Sequence, residues 1–148
     1  MPQNINFFNQ DLSYTLKQKK CIREWIKATA ENEGKTIGEI TYMFGSDDFI
    51  LETNRQYLQH DYLTDIITFD YCEENILNGD IAISLERVRE NAKTYKVSVE
   101  KELLRVLIHG ILHLCGYKDK SKKEEAEMRS KEDFYIQERF RSPYASFH

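Results

Sequence analysis

Two histidines and an aspartate have the types and the spacing of a metal site. His109 and His113 lie four residues apart in an apolar run, which places both imidazoles on the same face of an α-helix. Gly116 follows three residues after His113 and is suited to end that helix in a left-handed conformation. Asp119 comes three residues later, where the reversed chain can return to the histidine face. The pattern H-x-x-x-H-x-x-G-x-x-D therefore predicts a metal centre.

Two imidazoles and one carboxylate are typical of catalytic zinc, which takes three protein ligands and leaves a fourth position for water. We expect one Zn²⁺ per chain, held by His109, His113 and Asp119. The alternative is that both histidines are core residues of an apolar helix, but the glycine and the carboxylate that follow favour the metal site. In the zinc peptidase motif H-E-x-x-H, the glutamate is the general base. Gly110 occupies that position here, so we do not expect this peptidase chemistry.

The histidines lie on a segment that the sequence predicts to be a buried helix. Ser98 is suited to cap its N-terminus, and Glu100 in the first turn complements the helix dipole. The residues that follow are apolar on nearly all sides of the helix: Leu103, Leu104, Val106, Leu107, Ile108, Ile111, Leu112 and Leu114. A helix that is apolar all round is buried. We therefore expect it to run through the middle of the domain and to carry both histidines to a cleft.

The remaining segments show strand and helix patterns in turn. Strands are predicted at residues 5–8, 38–44, 66–71 and 80–84, helices at 13–32, 47–58, 85–95 and 122–139, a loop at 73–79 and a frayed tail at 142–148. These patterns predict an α+β fold, in which a small sheet of about four strands packs with about five helices. A length of 148 residues favours a single domain spanning residues 1–148.

The composition is that of an ordinary globular protein, with 41% hydrophobic and 31% charged residues. No apolar run approaches the roughly 18 residues that a membrane span needs. The first residues lack the basic-then-apolar layout of a secretory signal. Three cysteines without a C-x-x-C pair are typical of reduced thiols. We therefore expect a cytoplasmic protein that does not associate with membranes.

The charge pattern leaves two interpretations open. A net charge of −4 argues against a generally adhesive binder of polyanions. Four lysines, however, cluster around Asp119: Lys118, Lys120, Lys122 and Lys123. Together with Arg105 and Arg129, they predict either a basic rim beside the metal or a solvated run of surface charge.

Three blocks of the chain resemble the YbeY family of ribosomal RNA maturation factors, which are metal-dependent endoribonucleases. HGILHLCGY at 109–117 is similar to the family's H-G-x-L-H-L-x-G-Y signature. LTDIITFDY at 63–71 is similar to its P-T-D-V-L-S-F strand, and GDIAIS at 79–84 matches its G-D-I-x-I-S block. With the glutamate-rich EEAEMRSKE, the resemblance covers residues 54–132 in order and spacing.

The resemblance implies a small α+β fold with one zinc ion and a cytoplasmic enzyme that matures small-subunit ribosomal RNA in ribosome biogenesis. RNA is the implied partner, together with a ribosomal particle or ribosomal proteins. The alternative function is a non-catalytic ribosome-assembly or RNA-binding factor, in which zinc fixes the loop after Gly116.

The sequence departs from the family's pattern at two places. The family usually has Asp-His after the Gly-Tyr pair, whereas this chain has Lys118-Asp119. Asp119 therefore stands where a third histidine ligand is expected, and a carboxylate should leave a bound water less acidic than an imidazole would. The family also often has arginine at the position of Leu58 and lysine at the position of His60.

We expect metal-assisted hydrolysis of an RNA phosphodiester and assign two further catalytic candidates. His60 is a candidate proton shuttle or hydrogen-bond donor to phosphate, because an unperturbed imidazole titrates near neutrality. The alternative interpretation is that His60 is a surface histidine in a turn. Lys118 is a candidate to offset the negative charge of Asp119. Asp65 and Asp80 are expected at strand starts, as caps or as support for a ligand histidine.

Overall fold

Four strands form one mixed sheet in the order β1-β2-β4-β3. The computed structural model describes residues 3–141, and the strands are β1 (Asn4–Asn9), β2 (Thr36–Gly45), β3 (Ile66–Asp70) and β4 (Ile76–Ser84). Strands β1, β2 and β4 run parallel, and β3 joins the edge of β4 in antiparallel orientation. The predicted sheet of about four strands is confirmed.

Five α-helices accompany the sheet: α1 (Lys19–Asn32), α2 (Asp47–Thr53), α3 (Leu85–Tyr95), α4 (Val99–Leu114) and α5 (Lys122–Arg139). A short π-helix, Asn54–Leu58, continues α2. Serine side chains cap the N-termini of four helices, and Ser98 caps α4 as predicted. Within residues 3–141, no helix combines the length and the apolarity needed to cross a membrane.

Some predicted boundaries are wrong because tertiary contacts override local pattern. Helix α1 begins at Lys19 rather than at residue 13, since Gln18 adopts a left-handed conformation with φ of 60°. Residues 73–79 are not all loop, because β4 begins at Ile76 and pairs with β2 from Thr36 onward. Helix 47–58 becomes π-helical at Asn54. The predicted tail at 142–148, with its incidental His148, lies outside the described residues.

The α4 helix is buried on the face of the sheet that also carries α1. Leu107, Ile108, Ile111 and Leu112 have no exposed surface, which confirms the predicted burial. Each such side chain contributes roughly 1.5–3 kcal/mol by leaving water. The hydroxyl of Tyr42 in β2 donates a hydrogen bond of 2.8 Å to the carbonyl of Leu107. This packing fixes the rotation of α4 about its own axis.

Glu33, at the end of α1, holds the loop that follows α4. The hydroxyl of Tyr117 donates a hydrogen bond of 2.8 Å to one carboxylate oxygen of Glu33, and the hydroxyl of Tyr135 donates to the other. The Nζ atom of Lys131 lies 3.5 Å from the carboxylate. Burial raises the pKa of Glu33, but the hydrogen bonds of Tyr135 and Tyr117 and the charge of Lys131 outweigh it, so the pKa lies below its usual value. The fold therefore favours the ionised carboxylate.

We expect Glu33→Gln to lower the free energy of unfolding at neutral pH by roughly 1.5 kcal/mol, the scale of a hydrogen bond to a charged group. A depressed folded-state pKa gives stability above the unfolded pKa of about 4.3, and that stability is lost as pH falls through the folded pKa. The difference in the free energy of unfolding between wild type and variant should therefore shrink as the pH falls below about 5. Urea unfolding at pH 7, 5 and 4, followed by the fluorescence of Trp25, measures it.

The control for this prediction is Glu31→Gln, since Glu31 is an exposed glutamate on the same helix. It should change stability by less than about 0.5 kcal/mol at every pH. A difference between wild type and Glu33→Gln that stays constant down to pH 4 would contradict the argument.

Candidate metal centre

Helix α4 and the loop after it bring the three predicted ligands together. The Nε2 atoms of His109 and His113 lie 3.3 Å and 3.4 Å from the same carboxylate oxygen, Oδ2 of Asp119. One ligand atom from each residue lies within 4.8 Å of the others. Tetrahedral zinc with bonds of about 2.0–2.1 Å to nitrogen and oxygen separates neighbouring ligands by roughly 3.3 Å. The spacing therefore fits a single metal ion.

The second ring nitrogen of each histidine has its own acceptor. Nδ1 of His109 lies 2.5 Å from Oε2 of Glu132, and Nδ1 of His113 lies 3.0 Å from the carbonyl of Tyr117. A carbonyl and a carboxylate both accept, so these partners assign the proton to Nδ1 and leave the lone pair on Nε2. Burial, and then the proximity of His109, lower the pKa of His113, which favours its neutral form. This is the state in which imidazole binds metal.

Glu132 in α5 is a site residue that the sequence analysis missed. Its side chain is only 2% exposed, and its other oxygen, Oε1, lies 3.2 Å from Nη1 of Arg105. Arg105 also pairs with the buried Glu102. Burial raises the pKa of Glu132, but the contacts with His109 and Arg105 outweigh it, so the pKa lies below its usual value. Glu132 is thus a buried carboxylate that orients His109.

A signal for Glu132 was present in the sequence. It lies four residues after Met128 and three before Tyr135, both of which are buried. Helical periodicity therefore places Glu132 on the buried face of α5. A charged side chain in such a position is rarely buried without a partner, and Glu132 has two of them, His109 and Arg105.

The three clustered side chains open into a cavity of about 710 Å³. Its wall includes the cations Arg105 and Lys120 and the acids Asp65 and Asp70. A neighbouring groove, which His109 and Asp119 also line, contains Arg129 and Lys122. Lys118 and Lys123 instead line a third groove, beside Glu33 and Glu124. The predicted basic rim is therefore divided, and only part of it faces the metal centre.

The two further catalytic candidates lie outside the main cavity wall. His60 is exposed on the loop before β3, and its ring stacks on that of Tyr62 with centroids 5.2 Å apart. Tyr62 lines the main cavity, whereas His60 does not. Lys120 also lines this cavity, whereas Lys118 does not. The catalytic roles of His60 and Lys118 stay predictions.

The two predicted supporting aspartates take different positions. Asp65 directly precedes β3. Its backbone carbonyl accepts a hydrogen bond of 2.9 Å from the N–H of Ser84, and its carboxylate accepts one of 3.3 Å from the side-chain amide of Asn91. Asp80 lies inside β4, paired with Phe69. The contacts to the second ring nitrogens of the histidines come from Glu132 and Tyr117 instead.

Gly110 shows why this helix carries no peptidase glutamate. A Cβ atom at this position would lie 2.9 Å from Cδ1 of Ile81 in β4. Gly110 therefore faces the sheet, where a larger side chain would collide with the core. Packing against Ile81 therefore leaves no room at position 110 for the glutamate of an H-E-x-x-H motif.

Comparisons with known proteins point to one family. The family model described as Endoribonuclease YbeY matches residues 4–139. A protein of Porphyromonas gingivalis is 50% identical over 129 residues, which cover 87% of this chain and 85% of the relative. A protein of Bacteroides fragilis is 57% identical over 116 residues, covering 78% of this chain and 84% of the relative. Both relatives carry the name Endoribonuclease YbeY.

A solved structure extends the agreement to the fold. The solution structure of a Thermotoga maritima protein superimposes with a TM-score of 0.66 at 32% identity. The match covers 93% of this chain and 89% of that protein. The metal-site geometry, the matched residues and the shared fold lead to one conclusion: this chain belongs to the YbeY family.

Proposed function

We propose that this protein is a zinc-dependent endoribonuclease that acts in the maturation of small-subunit ribosomal RNA. One observation carries the proposal: two Nε2 atoms and one carboxylate oxygen converge at tetrahedral spacing beside an open cavity. The relatives' printed name supports RNA as the substrate. The family resemblance supports a ribosomal particle as the physiological context and the cytoplasm as the location.

His109, His113 and Asp119 would hold the metal. Bound zinc supplies a water of lowered pKa and polarises a phosphoryl oxygen. Arg105 and Lys120 are the cavity cations that can contact phosphate oxygens and the negative charge that develops on them. Arg105 is fixed by two buried carboxylates, whereas Lys120 is exposed and can adjust to the strand.

The number of ligands favours catalysis over the non-catalytic alternative. A structural zinc normally has four protein ligands, whereas a catalytic zinc has three and an open position. The cluster formed within residues 3–141 has three members, His109, His113 and Asp119. Their ligand atoms face a cavity large enough for a nucleotide segment, which a purely structural site would not need.

We expect tag-free protein to contain about one zinc per chain and to cleave a structured ribosomal RNA fragment. Asp119→Ala should lose most of the metal and the cleavage, because two imidazoles alone bind zinc weakly. Asp119→His, which restores the family's third histidine, should keep the metal. Elemental analysis and a gel-based cleavage assay with and without chelator measure both properties.

Asp133→Ala is the control, since Asp133 is exposed on α5 and should leave both properties unchanged. Full zinc content in Asp119→Ala would rule out the proposed ligand set. A zinc-loaded, folded wild type that cleaves no RNA would instead favour the ribosome-assembly factor.

We expect Glu132→Gln to weaken zinc binding by about 10–100-fold, the usual effect of removing a carboxylate that orients a ligand histidine. Glutamine keeps an acceptor oxygen but loses the charge that pairs with Arg105. Competition with a chromogenic chelator gives the zinc affinity, and circular dichroism checks that the variant is folded. If a folded Glu132→Gln binds zinc as tightly as the neighbouring control Asp133→Asn, Glu132 does not orient the ligand.

A further inference from the structure

Glu33 lies where α1 ends and is anchored to that helix. Its backbone N–H donates to the carbonyls of Thr29 and Ala30, at 3.1 Å and 3.0 Å. The helix itself packs into the core through Trp25 and Ile26. The side chain of Glu33 is only 11% exposed and lines the third groove, not the main cavity. Any effect of Glu33 on the metal centre therefore passes through its partners.

Tyr117 is the partner of Glu33 that belongs to the loop after α4. Its hydroxyl donates the hydrogen bond of 2.8 Å to Glu33, and Nζ of Lys131 lies 5.8 Å from the centre of its ring. Its backbone N–H donates at 3.1 Å to the carbonyl of Leu112, a bond that closes the helix after a glycine in the left-handed conformation. The side chain of Tyr117 is thus held by α1 and α5, and its backbone N–H by α4.

The carbonyl of Tyr117 bears on where the proton of His113 lies. A neutral imidazole carries one N–H, and His113 has two acceptors for it. The carbonyl of Tyr117 lies 3.0 Å from Nδ1, and Oδ2 of Asp119 lies 3.4 Å from Nε2. A proton on Nε2 would occupy the lone pair that a metal needs, whereas a proton on Nδ1 leaves that lone pair free. The metal-binding form therefore depends on the position of this carbonyl.

The loop around this carbonyl is held by contacts to neighbouring elements. Residues 117–119 belong to no helix or strand, and Lys118 is exposed. Such a segment keeps one conformation only as far as contacts to neighbouring elements hold it. The ring of Tyr117 provides these contacts two residues before Asp119. It therefore constrains both the carbonyl that faces His113 and the third ligand.

We propose that Glu33 is a positioning residue of the metal centre. Through the hydroxyl of Tyr117, it fixes the peptide whose carbonyl keeps the proton of His113 on Nδ1 and leaves Nε2 free for the metal. The inference rests on the proposed function, because it concerns the same metal site. Each ligand histidine is thus oriented by a carboxylate, His109 directly by Glu132, and His113 through Tyr117 by Glu33.

The first test compares the zinc affinity of wild type, Tyr117→Phe and Glu33→Ala by competition with a chromogenic chelator. Phenylalanine keeps the ring but removes the donor, and alanine removes the acceptor. Each variant should bind zinc about 10-fold more weakly, the lower end of the effect of removing a group that supports a ligand histidine. Because both changes break one hydrogen bond, the double variant should stay within about twofold of the single variants. Independent effects would multiply to about 100-fold, and that result overturns the proposal.

Tyr135→Phe is the matched control, because it removes the other hydroxyl that donates to Glu33 but lies on α5 instead of on the loop. It should lower the melting temperature and still bind zinc within about twofold of wild type. Circular dichroism checks that every variant is folded. If Tyr135→Phe loses as much zinc affinity as Tyr117→Phe, the effect is one of general stability and the positioning role is wrong.

Nitrogen NMR of His113 in metal-free protein tests the placement of the proton without zinc, at about pH 8, where an unperturbed imidazole is neutral. Wild type and Tyr135→Phe should carry the proton on Nδ1, whereas Tyr117→Phe and Glu33→Ala should carry it partly on Nε2. The same tautomer in all four proteins overturns the positioning role, even where wild type binds zinc. A wild type that binds no zinc yet shows the expected tautomers supports the role of Glu33 and overturns the zinc-dependent activity.

Discussion

The burial of α4 against the sheet is the interaction on which the metal centre depends. Leu107, Ile108 and Ile111 are fully buried, and any rotation of the helix would expose part of that surface at a cost of several kcal/mol. Gly110 allows close approach to Ile81 of β4. Since successive residues of a helix are offset by about 100°, fixing the apolar side also fixes the direction of both histidines. Hydrophobic packing thus sets the geometry of the ligands.

A chain of charged side chains couples the last helix to this arrangement. Glu102 and Arg105 on α4 and Glu132 on α5 form a buried network that ends on His109. Burying one such charge without a partner costs several kcal/mol, so the network is favourable only when every member is in place. It therefore specifies how α5 docks on α4, and the same contact orients His109, a proposed metal ligand. The same side chains contribute to stability and to the geometry of the proposed metal site.

The sequence could predict those parts of the site that are local in the chain. His109 and His113 lie one helical turn apart and Asp119 follows a glycine turn, so spacing alone suffices to bring them together. Glu132 reaches His109 from 23 residues away, through the packing of two helices that no local pattern encodes. Residues 76–79 looked like a loop because their strand character comes from pairing with β2. Non-local pairing was the part that the sequence could not supply.

Asp119 changes the electrostatics of the site in a way that bears on how RNA is held. Two neutral imidazoles and one carboxylate cancel half the charge of a divalent ion, whereas three imidazoles cancel none. Asp65 and Asp70 lower the potential of the cavity further, and Arg105 is already paired with two carboxylates. The site therefore attracts phosphate less than a three-histidine site with free cations would. Charge therefore contributes less to holding RNA here, and the exposed Lys120 is the cavity cation that can move toward a bound phosphate.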